Sequence, residues 1–389
     1  MKLLYVSTHQ IHNLTPLFRE LSTKKKIEFK AIYWQRLSSS FLDPEFNKEI
    51  NFGVDQFSGY NYKCLFDKEK KKYDLSFFFK IKIVPKIIKL VLTEKFDVIV
   101  FHGYYFPNII CAIISKLTGK KTIMRSISYN LGKRNFLKKL FRNVYYRLSN
   151  LFLDKFWTCH QLNEDFFISF GAKKENCILI DHCQGEYKKL LDNNKSILIS
   201  KDEFCKKHDL PNDKKFIMFA GRFIERANPK ILFEAWADGN FDDKWYLIMA
   251  GHGKFKKEIV DSAEKKKVRN LKFLGFQNQT SIINFFEHSE ILILPSGWNA
   301  TNGNIASEGI QFGCALIVSD MVGLYPEFVE QKVGLVFDVL DKNKLINAIN
   351  RFINDENLLK NYQINAREYG KQKTPEYSAN LIEKALLEF

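Results

Sequence analysis

The chain reads as an α/β protein of two doubly wound domains, and three observations carry that reading. Short apolar runs alternate with helix-periodic stretches from one end to the other. The alternation is interrupted by a polar, charged stretch from Gly185 to Lys215 that closes on a Pro-Asn-Asp turn signal. A length of 389 residues with 46% hydrophobic content is enough for two separate cores.

Taken in order, "KLLYV", "DVIVF", "KTIMR" and "KFWTC" are the expected strands of the first half. "KFIMFAG", "WYLIMAG", "NLKFLG", "EILILPS" and "ALIVS" are those of the second. Helical periodicity falls on 106–117, 229–237, 253–265, 281–288 and 303–312. This gives an amino-terminal domain over 1–185, a linker over 186–214 and a carboxyl-terminal domain over 215–355. Residues 356–389 hold no strand-like run and are expected as helices able to pack on either domain.

Several classes are excluded. No segment reaches the roughly 18 uninterrupted apolar residues of a spanning helix, and "MKLLYVSTHQ" turns polar too early for a secretory signal, so a cytoplasmic location is expected. The seven cysteines are scattered without a Cys-x-x-Cys pair, which predicts reduced, mostly buried thiols. The histidines lack metal-ligand spacing and no Asp-x-Asp occurs, so neither a metal nor another cofactor is expected.

Charge is unevenly spread. Residues 1–150 hold 28 Lys and Arg against 11 Asp and Glu, a net +17, while the rest of the chain is nearly neutral. Between Asp97 and Asp154 there is no acid at all. In this stretch the segment 132–148 places Leu137, Leu140, Phe141, Val144 and Leu148 at helical spacing among Lys133, Arg134, Lys138, Lys139, Arg142 and Arg147. Such a basic amphipathic helix either turns its stripe to the core or meets an anionic membrane surface or polyphosphate acceptor, making the protein peripheral on the inner face of the cell membrane. No nucleic-acid-binding motif surrounds the patch, and nucleic acid is not expected as a partner.

Doubly wound domains facing across a cleft put their chemistry at the carboxyl ends of strands. His102, Arg125, Arg222 and Gly251 all follow predicted strands, and His9 lies just after the first. The stretch "SGWNATNGNIASEGIQFG" follows another. There a helix start over Gly303, Asn304 and Ile305 offers free amides to a phosphate, and Gly303 permits close approach. Glu308, one turn further in, is suited to accept hydrogen bonds from a ribose or sugar diol.

The blocks "FAGRFIERANPKILFEAW", "YLIMAGHGKFKKEI", "NLKFLGFQNQTSIINFFEHSEILILPS" and "SEGIQFGCALIVSDMVGLYPEFV" resemble, in order and spacing, the carboxyl-terminal domain of family 4 retaining glycosyltransferases of the GT-B fold. "MKLLYVSTHQIHNLTPLFREL" resembles the opening of bacterial members. The resemblance implies a nucleotide-sugar donor and a glycan or lipid-linked acceptor. It implies that Arg222 and the 303–306 helix start grip the donor diphosphate, with Arg226 or Lys230 in support. It implies that Glu308 binds the donor ribose and that the loop from Phe276 to Asn278 flanks the base. His102 would lie near the sugar, with His9 and Arg125 on the acceptor side. Two departures accompany it. Ala227 stands where the family has Lys, and the first glutamate of the family's motif falls on Asn299 or Ala300, neither acidic. The alternative to a retaining transferase is therefore a catalytically silent GT-B subunit of a transferase complex. A dehydrogenase is disfavoured because "AGHGKFKK" lacks the third glycine of a dinucleotide fingerprint.

Overall fold

A computed structural model describes the chain except residues 39, 44–47, 52–54, 130–134, 181–184, 186 and 299–302; for 41–43, 48–51, 188, 189 and 193 it describes the backbone alone. Two compact units emerge, one holding Met1–Asp43, Lys48–Cys183 and Pro375–Phe389, the other Gln184–Thr374.

The first unit runs β1 (Lys2–Ser7), α1 (Thr15–Thr23), β2 (Glu28–Leu37), a small antiparallel pair β3 (Ser40–Asp43) and β4 (Lys48–Asn51), then β5 (Asn61–Lys70) and α2 (Phe77–Thr93). It continues with β6 (Val98–His102), α3 (Phe106–Leu117), β7 (Lys121–Arg125), α4 (Phe136–Asn150), β8 (Lys155–Thr158), α5 (Gln161–Ser169) and β9 (Cys177–Leu179). Its seven-stranded sheet has the order β5-β2-β1-β6-β7-β8-β9, parallel throughout. Alternate residues of β1 serve opposite cores: Leu4 and Val6 pack with Phe101 and Phe156, Leu3 and Tyr5 with Phe18 and Trp157.

The second unit runs α6 (Tyr187–Asn193), α7 (Lys201–His208), β10 (Lys215–Ala220), α8 (Pro229–Asp238), β11 (Trp245–Ala250), α9 (Lys256–Lys265), β12 (Leu271–Leu274) and α10 (Gln279–Glu287). It ends with β13 (Ser289–Leu294), α11 (Asn304–Gly309), β14 (Ala315–Ser319), α12 (Tyr325–Glu330), β15 (Gly334–Phe337), α13 (Lys342–Ile353) and α14 (Glu356–Gly370). Its sheet order is β12-β11-β10-β13-β14-β15, again parallel. In both sheets the order reverses beside the first strand of the unit, between β1 and β6 and between β10 and β13. Those switch points open a crevice at the strand ends.

One sequence expectation is revised. The stretch 186–214 is folded into the second unit rather than serving as a linker. Tyr187, Phe204, Cys205 and Leu210 are buried with Phe216 and Met218, and α7 is held at its start by a Ser200–Glu203 capping box. Its few apolar residues hide among charges, so composition alone reads as linker. The carboxyl-terminal helices divide: α14 buries Leu359 and Ala366 in the second unit, while α15 (Pro375–Leu387) buries Ala379, Ile382 and Leu386 in the first. Strands β2, β5 and β15 were not among the expected strands: charges interrupt β5, whereas β2 holds the apolar run Ala31–Trp34 between charged ends and β15 is a run of only four residues.

Helix α4 carries its stripe outward. Leu137 is 70% exposed and Phe141 74%, with Leu140, Val144 and Leu148 also exposed, while Tyr145 and Tyr146 pack on the core behind. The core-facing reading of that stripe is thereby excluded. Residues 132–134 of the expected helix lie outside the described residues. Among the described residues no helix is long and apolar enough to cross a membrane. The described cysteines are free, four of them buried; Cys183 lies outside the description.

Candidate functional site

In the second unit, β10 ends at Ala220 and delivers Arg222 in the following turn. Close backbone packing holds that turn. Phe223 donates its amide to the His252 carbonyl at 2.8 Å, and Gly221 donates to Ala250 at 3.0 Å. Gly251 lies at φ +142°, and a Cβ there would come within 1.8 Å of the Gly221 carbonyl oxygen, so only glycine lets the two strand-end loops approach so closely. Gly251, expected to touch donor, seats the Arg222 turn and is not among the residues lining the cavity described below.

The turn continues through a 3-10 segment, Glu225–Ala227, which is tied to the loop after β13 by the Gly297 amide donating to the Arg226 carbonyl at 2.7 Å. From that loop the chain enters α11 at Gly303, whose φ of +79° and whose missing side chain, where a Cβ would meet Val322 at 2.5 Å, again require glycine. Among the described residues no side chain caps this helix, and with the Ala306 amide donating to the Gly303 carbonyl at 2.9 Å, the Asn304 and Ile305 amides are the ones suited to a ligand.

These pieces enclose a cavity of about 290 Å³ lined by Arg222, Arg226, Ala227, Ser296, Gly303, Asn304 and Ile305 over a floor of Phe219 and Leu294. Two guanidinium groups beside the start of α11 are the chemistry that suits a doubly charged anion. Lys230 is elsewhere: its ammonium pairs with Glu258 at 2.6 Å and lies over the Phe255 ring. Arg226 is therefore the cation that accompanies Arg222, and Ala227 lines the same wall.

Glu308 is buried at 8% exposure and is not part of that lining. Burial pushes its carboxyl up to about 7, and the Tyr187 hydroxyl facing it pulls in the opposite direction. That hydroxyl is itself buried and close enough to act on the carboxyl, yet makes no hydrogen bond of good geometry. Asn278 caps α10, accepting from the Ser281 amide at 2.9 Å, and Phe276 is partly exposed in the loop before it; neither lines the cavity. Asn299 and Ala300 lie outside the described residues.

In the first unit the switch point gathers His9, His102 and Arg125. His102 ends β6 opposite Arg125 of β7 and lies 2.7 Å through Nδ1 from the Tyr5 hydroxyl. His9 stacks on Tyr73 with ring centroids 5.0 Å apart, its Nδ1 2.9 Å from the Thr8 hydroxyl. Arg125 is 1% exposed. Burial, with the Arg125 charge nearby, lowers His102 to about 3, and burial lowers His9 to about 4. Both rings are neutral at ordinary pH. Burial also pushes the Tyr5 phenol up to about 12, so it keeps its proton and is able to donate to Nδ1. In the tautomer that accepts this bond His102 carries its own proton on Nε2, as a hydrogen-bond donor rather than a base.

Sequence reasoning missed Tyr5 and Tyr187. Tyr5 sits inside an apolar strand and reads as core, although its parity places it on the face opposite Leu4 and Val6. Tyr187 lies in the stretch taken for a linker, where nothing announced a buried phenol.

Comparison with known proteins gives a consistent picture. A family model described as glycosyl transferases group 1 matches residues 200–369. An uncharacterized glycosyltransferase of Methanocaldococcus jannaschii is 27% identical over 160 residues, 41% of this chain and 44% of that protein. The N-acetylgalactosamine-N,N'-diacetylbacillosaminyl-diphospho-undecaprenol 4-alpha-N-acetylgalactosaminyltransferase of Campylobacter jejuni is 24% identical over 165 residues, 42% of this chain and 44% of that protein. The chain thus spans less than half the length of these two curated relatives. The crystal structure of Anabaena HepE in complex with UDP matches 100% of both chains with a TM-score of 0.69 at 15% identity, a likeness of fold.

Proposed function

Because the chain is a GT-B-fold relative of the group 1 glycosyl transferases, we propose that it moves a sugar from a nucleoside diphosphate donor to a glycan or lipid-linked acceptor in the synthesis of a bacterial surface polysaccharide or glycoconjugate. The observation that carries this reading is the cavity joining Arg222, Arg226 and the uncapped start of α11. Negative charge grows on the leaving diphosphate as the glycosidic bond breaks, and fixed guanidinium groups and backbone amides stabilise it without reorganising. Transfer proceeds with retention at the anomeric carbon and without a metal bridging the phosphates. His102 donates from Nε2 to a sugar hydroxyl, and Glu308, once ionised, accepts from the ribose diol.

The acceptor side is the basic first unit. The outward stripe of α4, flanked by Lys138 and Lys139, supports peripheral attachment to an anionic membrane on its cytoplasmic face. The Campylobacter relative, as its name states, acts on a substrate carried by diphospho-undecaprenol, which fits an acceptor presented at such a surface.

The test is incubation with a panel of nucleotide sugars, reading slow release of nucleoside diphosphate and thermal shift together. A cognate donor at 100 times its dissociation constant adds about 2.7 kcal/mol of stability. Binding without release would favour the silent-subunit alternative. Neither binding nor release with any nucleotide sugar would overturn the reading.

A further inference from the structure

We propose that the first turn of α2 joins α4 to form a two-part docking surface for an anionic phospholipid bilayer, α4 meeting the headgroups and the α2 turn inserting aromatic rings between them. The inference rests on the membrane attachment proposed above and adds a second element to it.

Helix α2 buries Phe79, Ile83, Ile87 and Leu90, one stripe at helical spacing. Phe77, Phe78 and Ile81 lie off that stripe, with Phe77 65% and Phe78 76% exposed. Holding the helix to its sheet does not require them. The helix start is already satisfied by the Ser76 hydroxyl, which accepts from the Phe79 amide. Two neighbouring exposed phenylalanines are costly in water unless something covers them.

The covering surface has a stated chemistry. Asp74 stands just before the helix, its carboxylate accepting from the Ser76 amide, but from Leu75 to Thr93 no acidic residue occurs, and Lys80 and Lys82 lie beside the exposed rings in the chain. Helix α4 repeats the arrangement, with outward Leu137, Leu140 and Phe141 beside Lys138 and Lys139 and no acid nearby in the chain. Apolar side chains rimmed by cations of one sign complement a surface that is negative outside and hydrocarbon beneath.

The two elements are joined by one aromatic bridge. Three consecutive residues before and at the start of α3 do the joining: Phe106 packs on Phe77 with centroids 5.9 Å apart, Tyr105 receives the Lys80 ammonium at 5.3 Å, and Tyr104 packs on Tyr146 of α4 at 4.4 Å. The Tyr145 hydroxyl donates to the Tyr104 carbonyl at 3.2 Å, and Tyr145 stacks in turn on Phe141. Residues 104 and 106 are separated by about 7 Å of backbone, so both exposed patches are anchored to one rigid point of one unit. An extended bilayer can engage both at once.

The experiment uses the intact chain and vesicles of phosphatidylcholine with phosphatidylglycerol. Phe78→Ser should weaken vesicle binding roughly tenfold, from the loss of one inserted ring. Phe78→Trp should retain binding and place its added fluorescence, read as a difference from wild type, within reach of quenching by lipids brominated on their acyl chains. Such quenching is a readout that a merely structural phenylalanine would not give. If Lys138→Gln/Lys139→Gln weakens binding while Phe78→Ser binds as wild type and the tryptophan is not quenched, the α2 turn is not an inserting element and this inference falls alone. If the wild type itself ignores the vesicles at low salt, membrane attachment fails with it, whereas donor binding measured by thermal shift stands or falls separately. If Phe78→Ser instead dissociates a dimer seen by light scattering, the patch belongs to a second copy and the proposal is overturned.

Discussion

At the switch point of the second unit the chain leaves two arginines and bare backbone amides around a cavity; at the matching point of the first it leaves two neutral histidines, a phenol and a deeply buried arginine. Topology is shared and chemistry is not. Where full charge must be held, the fold supplies permanent cations and amides. At the other switch point it holds neutral imidazoles, which the proposed function uses to bind hydroxyl groups, because a buried imidazolium would cost too much beside Arg125. The second unit is correspondingly near-neutral outside its cavity, while the first carries the chain's excess charge on its surface helices.

The largest expected effect separates these roles. Arg222→Ala should lower turnover about 10²- to 10³-fold and weaken nucleoside diphosphate binding, since it removes a donor aimed at developing charge. His102→Ala should lower turnover while leaving nucleoside diphosphate affinity unchanged, as calorimetric titration of that diphosphate into both variants would establish. Because His102 is neutral above about pH 3, the rate of the wild type should show no limb from this histidine between about pH 5 and 8. A limb that vanishes in the alanine variant would contradict the neutral-donor role.

Next in size is Glu308. Its native pKa of about 7 lies above the ordinary carboxylate value of 4.5, so its contribution to stability is fully present below about pH 4.5 and is lost as pH rises through 7. The loss amounts to about 3 kcal/mol. Glu308→Gln should therefore gain stability relative to wild type as pH rises, while binding nucleotide less well at high pH, where the ionised carboxylate would accept from the ribose. Parallel denaturation curves for the two proteins across pH would remove the buried-carboxyl account; equal nucleotide affinity would remove the ribose contact.

The surface of the first unit supplies a third contrast. Replacing Lys138 and Lys139 with Gln should reduce binding to anionic vesicles roughly thirtyfold at low salt and very little at high salt. Arg142 is better left in place, since its guanidinium lies over the Phe170 ring and its loss would disturb packing as well as charge. Co-sedimentation across a salt series checks it, and a salt-independent loss would mean that the helix had been damaged rather than discharged.

The second unit was the more legible in sequence, and the reason is physical. Four of its five predicted strands are buried on both faces and so read as apolar runs, the edge strand β12 being only half-buried, and the glycines that seat Arg222 and open α11 stand where only glycine fits. Arg222, Arg226, Gly303, Asn304 and Ile305 were all singled out and do meet in one cavity. In the first unit β5, at the sheet edge, was invisible because charges interrupt it, and β2 was passed over although Ala31–Trp34 form an apolar run between its charged ends. Tyr5 and Tyr187 escaped because burial, not spacing, gives them their roles. That α4 turns its stripe outward was equally beyond periodicity, which reports that a stripe exists and not which side is wet.

The smallest effect expected bears on the one wall of the cavity that departs from its relatives' pattern. Ala227 lines the cavity next to Arg226, and its methyl group packs against the second core cluster. Lysine at this position must swing its stem away from that core, and its ammonium then adds to a site that already holds two guanidinium groups. A single new charge-assisted contact is worth about 1.5–3 kcal/mol where it stands alone. Beside Arg222 and Arg226 much of the phosphate's charge is already matched, and the displaced methyl gives back part of the gain. Ala227→Lys should therefore tighten nucleoside diphosphate binding by less than about tenfold. The same substitution in an Arg226→Ala background should gain considerably more, because the added ammonium then fills a real deficit. Titrating the nucleoside diphosphate into both pairs decides it: equal gains in the two backgrounds would mean that Arg226 does not stand in for the missing lysine, and that the phosphate grip of this unit rests on Arg222 and the α11 amides alone.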